Sequence, residues 1–171
     1  MATKVQRTFA ISGALLFILT SSSLTIAVIL SNMESSKPAN KNTNSASTKL
    51  AGTILADYKS VDSVPSLQVT DIVVGSGQAV KSTDSVTVDY TGAIANTGVI
   101  FQSSKDFGQQ SSFGLSGVIK GWSEGLIGMQ VGGIRRLLIP ANLAYGANPP
   151  SGSGIPANAD LVFDVTLYKI N

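Results

Sequence analysis

Alternation of apolar and polar residues marks the second half of the chain and predicts β-strands there. In residues 85–91, Val86, Val88 and Tyr90 alternate with Thr87, Asp89 and Thr91. A period of two with many β-branched residues is typical of a half-buried strand. The same pattern, or a short apolar run that ends at glycine, predicts further strands at residues 67–74, 134–139 and 160–170.

One short helix is predicted at residues 121–130. Trp122, Leu126 and Met129 lie at positions i, i+4 and i+7, which places them on one apolar stripe. A helix this short depends on packing against a sheet for its stability. Antiparallel strands with one short helix predict an α+β domain whose helix lies across one face of the sheet.

The N-terminal end of the chain has a different pattern. Residues 9–30 carry no charge and fifteen of the 22 are apolar, with Lys4 and Arg7 before them. As a helix this segment would be about 33 Å long, enough to cross a bilayer, so it is predicted to be a membrane anchor. A cleaved secretory signal is the alternative, with residues 14–19 as its apolar core. The absence of an A-x-A-like site favours the anchor, and both interpretations export the rest of the chain.

A polar segment follows the apolar one. Residues 31–49 are rich in Ser, Asn, Thr and Lys, which predicts a flexible tether, and residues 50–64 are more apolar and are expected to add a strand or turn. The predicted organisation is an anchor or signal at residues 1–30, a flexible linker at 31–65 and one domain at 66–171.

Composition and charge exclude several kinds of chemistry. The chain has 12 basic and 10 acidic residues, and its basic excess lies in residues 1–65, so nothing indicates a nucleic-acid partner. It contains no Cys and no His, which excludes disulfides, thiolate catalysis, His-ligated metals and Ser-His-Asp triads. No P-loop occurs, and Gly75 and Gly77 lack the third glycine of a dinucleotide loop. No cofactor and no metal are expected.

Aromatic and branched apolar residues recur at strand ends and in loops of the predicted domain. Ordinary core positions are the alternative interpretation for each of them. Tyr145 lies in a loop rich in Pro and Gly and carries a hydroxyl, which favours a binding role. The set comprises Tyr90, Phe101, Phe107, Phe113, Val118, Ile119, Trp122, Tyr145, Ile155 and Phe163.

The order of these residues resembles the FKBP-type peptidyl-prolyl cis-trans isomerases. The similarity covers about residues 67–171, and several spaced motifs in the same order carry it. The family fold that the resemblance implies is a curved antiparallel sheet wrapped around one short helix. The motifs are VDYTG (88–92), G-x-x-F-x-SS (98–104), VIKGWSEGL (118–126), M-x-VG (129–132), IPANLAYG (139–146), IP (155–156) and LVFDVTL (161–167).

The resemblance implies a site as well as a fold. It assigns catalytic roles to Tyr90, Phe101, Gln102, Tyr145 and Phe163. It assigns substrate binding to Val118, Ile119, Trp122, Ile155 and Phe113, with Trp122 as the floor of the pocket. The hydroxyl of Tyr145 and the backbone N–H of Ile119 would meet substrate carbonyls.

The activity implied is cis-trans isomerisation of X-Pro bonds in exported proteins. The expected partners are proline-containing polypeptides, macrolide ligands and the membrane through residues 9–30, with the domain on the extracytoplasmic side or secreted after signal cleavage. Gln102 stands where the family usually has Asp, which removes a charge and keeps a hydrogen-bonding group. That difference leaves open a binding module or holdase chaperone of low activity, and a passive envelope or adhesion protein with a sealed pocket is a third alternative.

Overall fold

The structure is a computed structural model that describes residues 49–171. The predicted anchor or signal segment and most of the predicted tether lie outside these residues. No helix in the described range is long and apolar enough to cross a membrane. The described elements are strands β1 (Gln68–Val73), β2 (Ser85–Ile94), β3 (Ile100–Ser103), β4 (Ser111–Gly114), β5 (Ile134–Ile139) and β6 (Leu161–Ile170), helix α1 (Lys120–Gly125), and 3₁₀ helices at Ser104–Phe107, Leu115–Gly117 and Ala141–Leu143.

The six strands form one antiparallel sheet. Its order is β1-β5-β6-β2-β3, and β4 also pairs with β2, at the end of β2 that precedes Tyr90. The long pair β2 and β6 runs from Val86 opposite Ile170 to Ile94 opposite Leu161. This architecture confirms the predicted antiparallel sheet with one short helix.

The strand predictions hold at four places and miss two. The predicted strands at 67–74, 85–91, 134–139 and 160–170 correspond to β1, β2, β5 and β6, although β2 continues to Ile94. Strands β3 and β4 were not predicted because each has only four residues, with Ser, Gln or Gly among them, and no alternation that a sequence window could detect.

Helix α1 ends earlier than the sequence predicts, at Gly125 and not at Gln130. Gly128 adopts a φ of 76°, which no right-handed helix contains, and its N–H donates to the carbonyl of Val80 at 2.9 Å. The predicted apolar stripe is nevertheless buried, since Trp122, Leu126 and Met129 are all in the core. The turn after α1 therefore continues the buried stripe without continuing the helix.

The sheet is covered on both faces, by two hydrophobic clusters of different size. The inner cluster contains α1 and the alternate residues Val86, Val88 and Tyr90 of β2. The helix lies close to the sheet, because a Cβ at Gly125 would stand 2.8 Å from the side chain of Leu137. The outer cluster consists of Leu55, Ala93, Ile100 and Val162, with Leu50, Tyr58 and Leu138 packed against it.

Residues 50–64 form a strap that covers the outer face. The carbonyl of Ile100 accepts from the Gly52 N–H at 2.7 Å, and the Ile100 N–H donates to the Thr53 carbonyl at 2.8 Å. The carboxylate of Asp160 accepts from the Val64 N–H at 2.7 Å, and both Leu55 and Val64 are buried. The linker predicted at residues 31–65 therefore overlaps a segment that the structure places on the domain.

Candidate functional site

An apolar hollow opens on the inner face, between the sheet, the start of α1 and the loop after β5. It is partly open to solvent. Strands β2, β4 and β6 each contribute one aromatic residue, and Val118 and Ile119 precede α1. The lining residues are Tyr90, Phe113, Val118, Ile119, Trp122, Tyr145 and Phe163. The structure thus brings together seven of the ten residues predicted for the site.

Trp122 lies at the centre of the aromatic residues. Its ring centroid is 5.6 Å from Tyr90, 5.5 Å from Phe113 and 5.4 Å from Phe163, and each pair packs edge to face. Such pairs stabilise a fixed arrangement of rings beyond the burial of their area. Trp122 therefore contacts three of the rings that line the hollow, and its role as the floor stays a prediction.

Three predicted site residues do not line the hollow. Phe101 packs edge to face on the lining residue Phe163, with centroids 5.7 Å apart. Ile155 is buried in the inner cluster. The third, Gln102, has its Oε1 buried with no hydrogen-bond donor among the described residues.

Gly92 is a site residue that the sequence analysis did not single out, although it appeared in the VDYTG motif. It pairs with Phe163 on one side and with Gln102 on the other. A Cβ there would stand 2.6 Å from Cζ of Phe101 and 2.6 Å from Cε1 of Phe163. Any side chain at this position would therefore displace the ring of Phe163, which lines the hollow, and the ring of Phe101, which packs on it. The VDYTG motif pointed to Gly92, and the close approach of the Phe101 and Phe163 rings explains why glycine stands there.

Two buried serines also escaped the sequence analysis. The Ser104 hydroxyl accepts from the Tyr90 N–H at 3.0 Å and donates to Asp89 Oδ1 at 2.8 Å. The Ser103 hydroxyl donates to the Tyr90 carbonyl at 3.1 Å and bonds to the Thr91 hydroxyl at 2.9 Å. Both backbone groups of Tyr90 are therefore fixed by the segment that carries Phe101. The signal was the Ser-Ser pair of the G-x-x-F-x-SS motif, which begins two residues after Phe101.

Burial keeps the tyrosine hydroxyls of the site neutral. Desolvation raises the pKa of Tyr90 to about 12. Desolvation, and secondarily the neighbouring Tyr90, raises the pKa of Tyr145 far above the usual value. Both side chains therefore carry their protons at physiological pH and can donate hydrogen bonds.

No carboxylate, cysteine or histidine appears among the lining residues. Within residues 49–171 no group of three or more metal-ligating side chains occurs. The site can therefore enclose an apolar ring and offer hydroxyl and backbone groups to a polypeptide, and it supplies no nucleophile.

A sequence profile of the FKBP-type peptidyl-prolyl cis-trans isomerases matches residues 76–168. The chain belongs to the FKBP family. A probable FK506-binding protein of Corynebacterium glutamicum is 47% identical over 104 residues, which are 60% of this chain and 86% of that protein. FK506-binding protein 4 of Gibberella zeae is 50% identical over 109 residues, or 63% of this chain and 21% of that protein.

A solved structure supports the same assignment. The crystal structure of FkpA from Escherichia coli matches with a TM-score of 0.57 and 42% identity, over 61% of this chain and 48% of that chain. This chain spans only about a fifth of the length of FK506-binding protein 4.

Proposed function

We propose that this FKBP domain catalyses cis-trans isomerisation of X-Pro bonds in polypeptides. The observation that carries the proposal is the uncharged hollow whose floor is Trp122 and whose walls include Tyr90, Phe113 and Phe163. An apolar hollow of this kind accepts a pyrrolidine ring without requiring any charged partner.

The chemistry needs no nucleophile, because no covalent bond breaks. The barrier of about 20 kcal/mol to rotation is the loss of amide resonance. The planar amide is more polar than the twisted one, so an apolar cavity that replaces water favours the twisted amide relative to the planar one. This is differential binding of the transition state, and each 1.36 kcal/mol of it is a factor of about ten in rate.

The polar groups of the hollow would orient the substrate chain. Tyr145 keeps its proton and can donate to a substrate carbonyl. Ile119 precedes α1, and its backbone N–H is the second donor in this proposal. Phe101 acts through Phe163, which it contacts edge to face and which in turn contacts Trp122. Gly92 leaves the space that the rings of Phe101 and Phe163 occupy.

The test is a proline-tetrapeptide isomerisation assay on the full-length chain. We expect acceleration over the uncatalysed rate, which Trp122→Ala abolishes or strongly reduces. Tyr145→Phe should lower kcat/KM by about threefold to tenfold, the value of one hydrogen bond. Tyr168→Phe is the matched control, because the Tyr168 hydroxyl donates to Asp89 at 2.9 Å and does not line the hollow. A wild-type rate equal to the buffer rate would remove the proposal.

Gln102 supports a second candidate function, a binding module with the same hollow and little turnover. Its Oε1 is a buried acceptor without a donor, where the family usually has Asp. In that case the chain suppresses aggregation of unfolded proteins without accelerating proline isomerisation. Gln102→Asp then separates the two functions, because a large gain in turnover indicates a catalyst that lost its activity at this position.

For the location of the chain, we propose a tether in the membrane with the domain on the extracytoplasmic side. The support is the uncharged segment 9–30 with Lys4 and Arg7 before it. Proline isomerisation takes tens of seconds without a catalyst, so exported chains that fold there would benefit from the activity. Sedimentation with membranes after carbonate washing, and digestion of the domain by protease added outside the cell membrane, test the two parts of this proposal.

A further inference from the structure

The strand at the edge of the sheet exposes an apolar surface. All six residues of β1 are exposed. Val69, Ile72, Val73 and the following Val74 are between 45% and 73% exposed. We refer to these four residues as the apolar edge. It lies at the opposite end of the sheet order from β3, the strand that carries Phe101.

The backbone of β1 is also available on one side. Within the described residues, β1 pairs with β5 alone. The register shift between Asp71 and Val73 leaves Ile72 without a partner on β5. Natural edge strands are usually protected by lysine, proline, a β-bulge or a cover. Strand β1 contains neither lysine nor proline, and the register shift at Ile72 interrupts its pairing at one residue only. An extended chain can therefore pair with the outer edge of β1.

The low charge of β1 and its surroundings indicates which kind of partner can bind there. Asp71 is the only charged residue between positions 64 and 80. Its carboxylate accepts from Nε of Arg135 at 2.6 Å and from a terminal guanidinium nitrogen of the same residue at 3.0 Å, so its charge is compensated. A neutral apolar strand fits an uncharged apolar segment of polypeptide. It lacks the basic residues that attract anionic phospholipid headgroups.

The apolar edge is connected to the hollow through one row of paired residues. Val69 pairs with Leu137, and Leu137 pairs with Phe163 of the hollow. Two strand spacings separate Val69 from Phe163, which is about 10 Å across the sheet. One extended chain could therefore lie on the edge while a segment a few residues away enters the hollow.

We propose that the apolar edge is a second binding site that takes extended, uncharged, apolar segments of unfolded polypeptides as an added strand. The proposal deepens the proposed function and rests on it for the nature of the client. Binding at the edge raises the local concentration of nearby X-Pro bonds at the hollow. Short peptides that fill only the hollow gain nothing from it.

The test compares two substrates with the full-length chain. Ile72→Lys changes an exposed residue that has no partner on β5, so the fold is retained. Ile54→Lys is the matched control, because Ile54 is 60% exposed and lies on the strap. We expect Ile72→Lys to leave tetrapeptide kcat/KM within about twofold of wild type and to lower catalysis of a proline-limited refolding reaction, that of reduced and carboxymethylated ribonuclease T1, by about threefold or more. Ile54→Lys should change neither rate.

A measurement of binding to an unfolded protein tests the proposal independently of catalytic activity. Fluorescence anisotropy of labelled, reduced and carboxamidomethylated α-lactalbumin should show binding that Ile72→Lys weakens by about threefold or more. Equal binding and equal refolding catalysis by wild type and Ile72→Lys would overturn the proposal. So would a wild-type dimer that Ile72→Lys dissociates, or binding to vesicles of neutral lipid without binding to the polypeptide. If the tetrapeptide assay fails for wild type while the anisotropy result holds, the proposed function fails and the second site stands.

Discussion

At the scale of single residues, the hollow depends on how closely its rings approach the sheet. Phe101 and Phe163 meet edge to face, and the space for both rings exists because position 92 has no side chain. Phe163 then meets Trp122 at 5.4 Å. The shape of the hollow is therefore sensitive to a change that adds one methyl group at a residue which does not line it.

Gly92→Ala is predicted to reduce both stability and activity. The added Cβ must displace the rings of Phe101 and Phe163, and overpacking of this kind costs about 1–3 kcal/mol of unfolding free energy. Displacement of Phe163 should lower tetrapeptide kcat/KM by about tenfold. Urea unfolding and the isomerisation assay measure the two effects.

Gly114→Ala is the matched control for that substitution. Gly114 also lies in a strand, and the nearest atom to a Cβ there is the Ser85 hydroxyl at 3.5 Å, an ordinary contact. The control should therefore behave like the wild type. If Gly92→Ala did so too, the close approach of the rings at position 92 would not determine the site.

The residue scale also shows the limit of what sequence can predict. Val86, Val88 and Tyr90 were predictable as buried because alternation is a local property. The contact of Gly92 with Phe163 joins positions 71 residues apart and depends on the register between β2 and β6. The family motifs supplied Tyr90, Trp122 and Tyr145, but only the structure shows that Phe101 packs edge to face on Phe163.

At the scale of elements, the strap is the feature that the sequence describes least, because the sequence analysis expected only a strand or turn within the predicted linker. Its residues 50–64 are less regular than any strand, and their apolar content alone suggested only a strand or turn. Their backbone groups pair with β3 and its preceding turn, and Leu55 enters the outer cluster. The sequence of the strap shows no regular alternation of apolar residues, because its backbone hydrogen bonds to the sheet fix its position and no continuous apolar face is needed.

Leu55→Ala is predicted to destabilise the domain by about 2–4 kcal/mol, the usual range for removing a buried leucine. Leu55 is 6% exposed, whereas its neighbour Ile54 is 60% exposed. Ile54→Ala should therefore cost less than about 0.5 kcal/mol. Urea unfolding of both variants in the full-length chain makes the comparison, and equal destabilisation would contradict the assignment of the strap to the domain.

At the scale of the whole molecule, charges are kept away from the hollow. Arg135 and Arg136 are adjacent in β5 and point to opposite faces, as their sequence positions predict. Arg135 bonds to Asp71 and to the carbonyl of Gly125, the last residue of α1. Arg136 bonds to Asp164 and lies over the ring of Tyr58 on the strap. Both ion pairs join neighbouring elements, and neither includes a residue of the hollow.

The pKa shifts of Asp71 and Tyr90 make the stability of the domain depend on pH. The hydrogen bonds from Arg135 lower the pKa of Asp71 below its ordinary value. A lowered pKa in the folded state gives stability that is present above the unfolded pKa and is lost as pH falls through the folded pKa. Burial acts in the opposite direction for Tyr90, whose raised pKa gives stability that is present below pH 10 and lost as pH rises toward about 12.

We predict that activity is nearly independent of pH over the range in which the domain is fully stable. No carboxylate, histidine or cysteine lines the hollow, and both of its tyrosines keep their protons, so tetrapeptide kcat/KM should vary by less than about twofold between pH 5 and 9. The unfolding free energy should fall below about pH 4 through Asp71. It should also fall by about 1 kcal/mol between pH 10 and 11 through Tyr90, with Tyr145 acting in the same direction. Tyr90→Phe should reduce the alkaline loss and Asp71→Asn the acid loss. An inflection of kcat/KM inside the flat range would reveal a titrating group at the site, and catalysis by an apolar cavity alone would then be wrong.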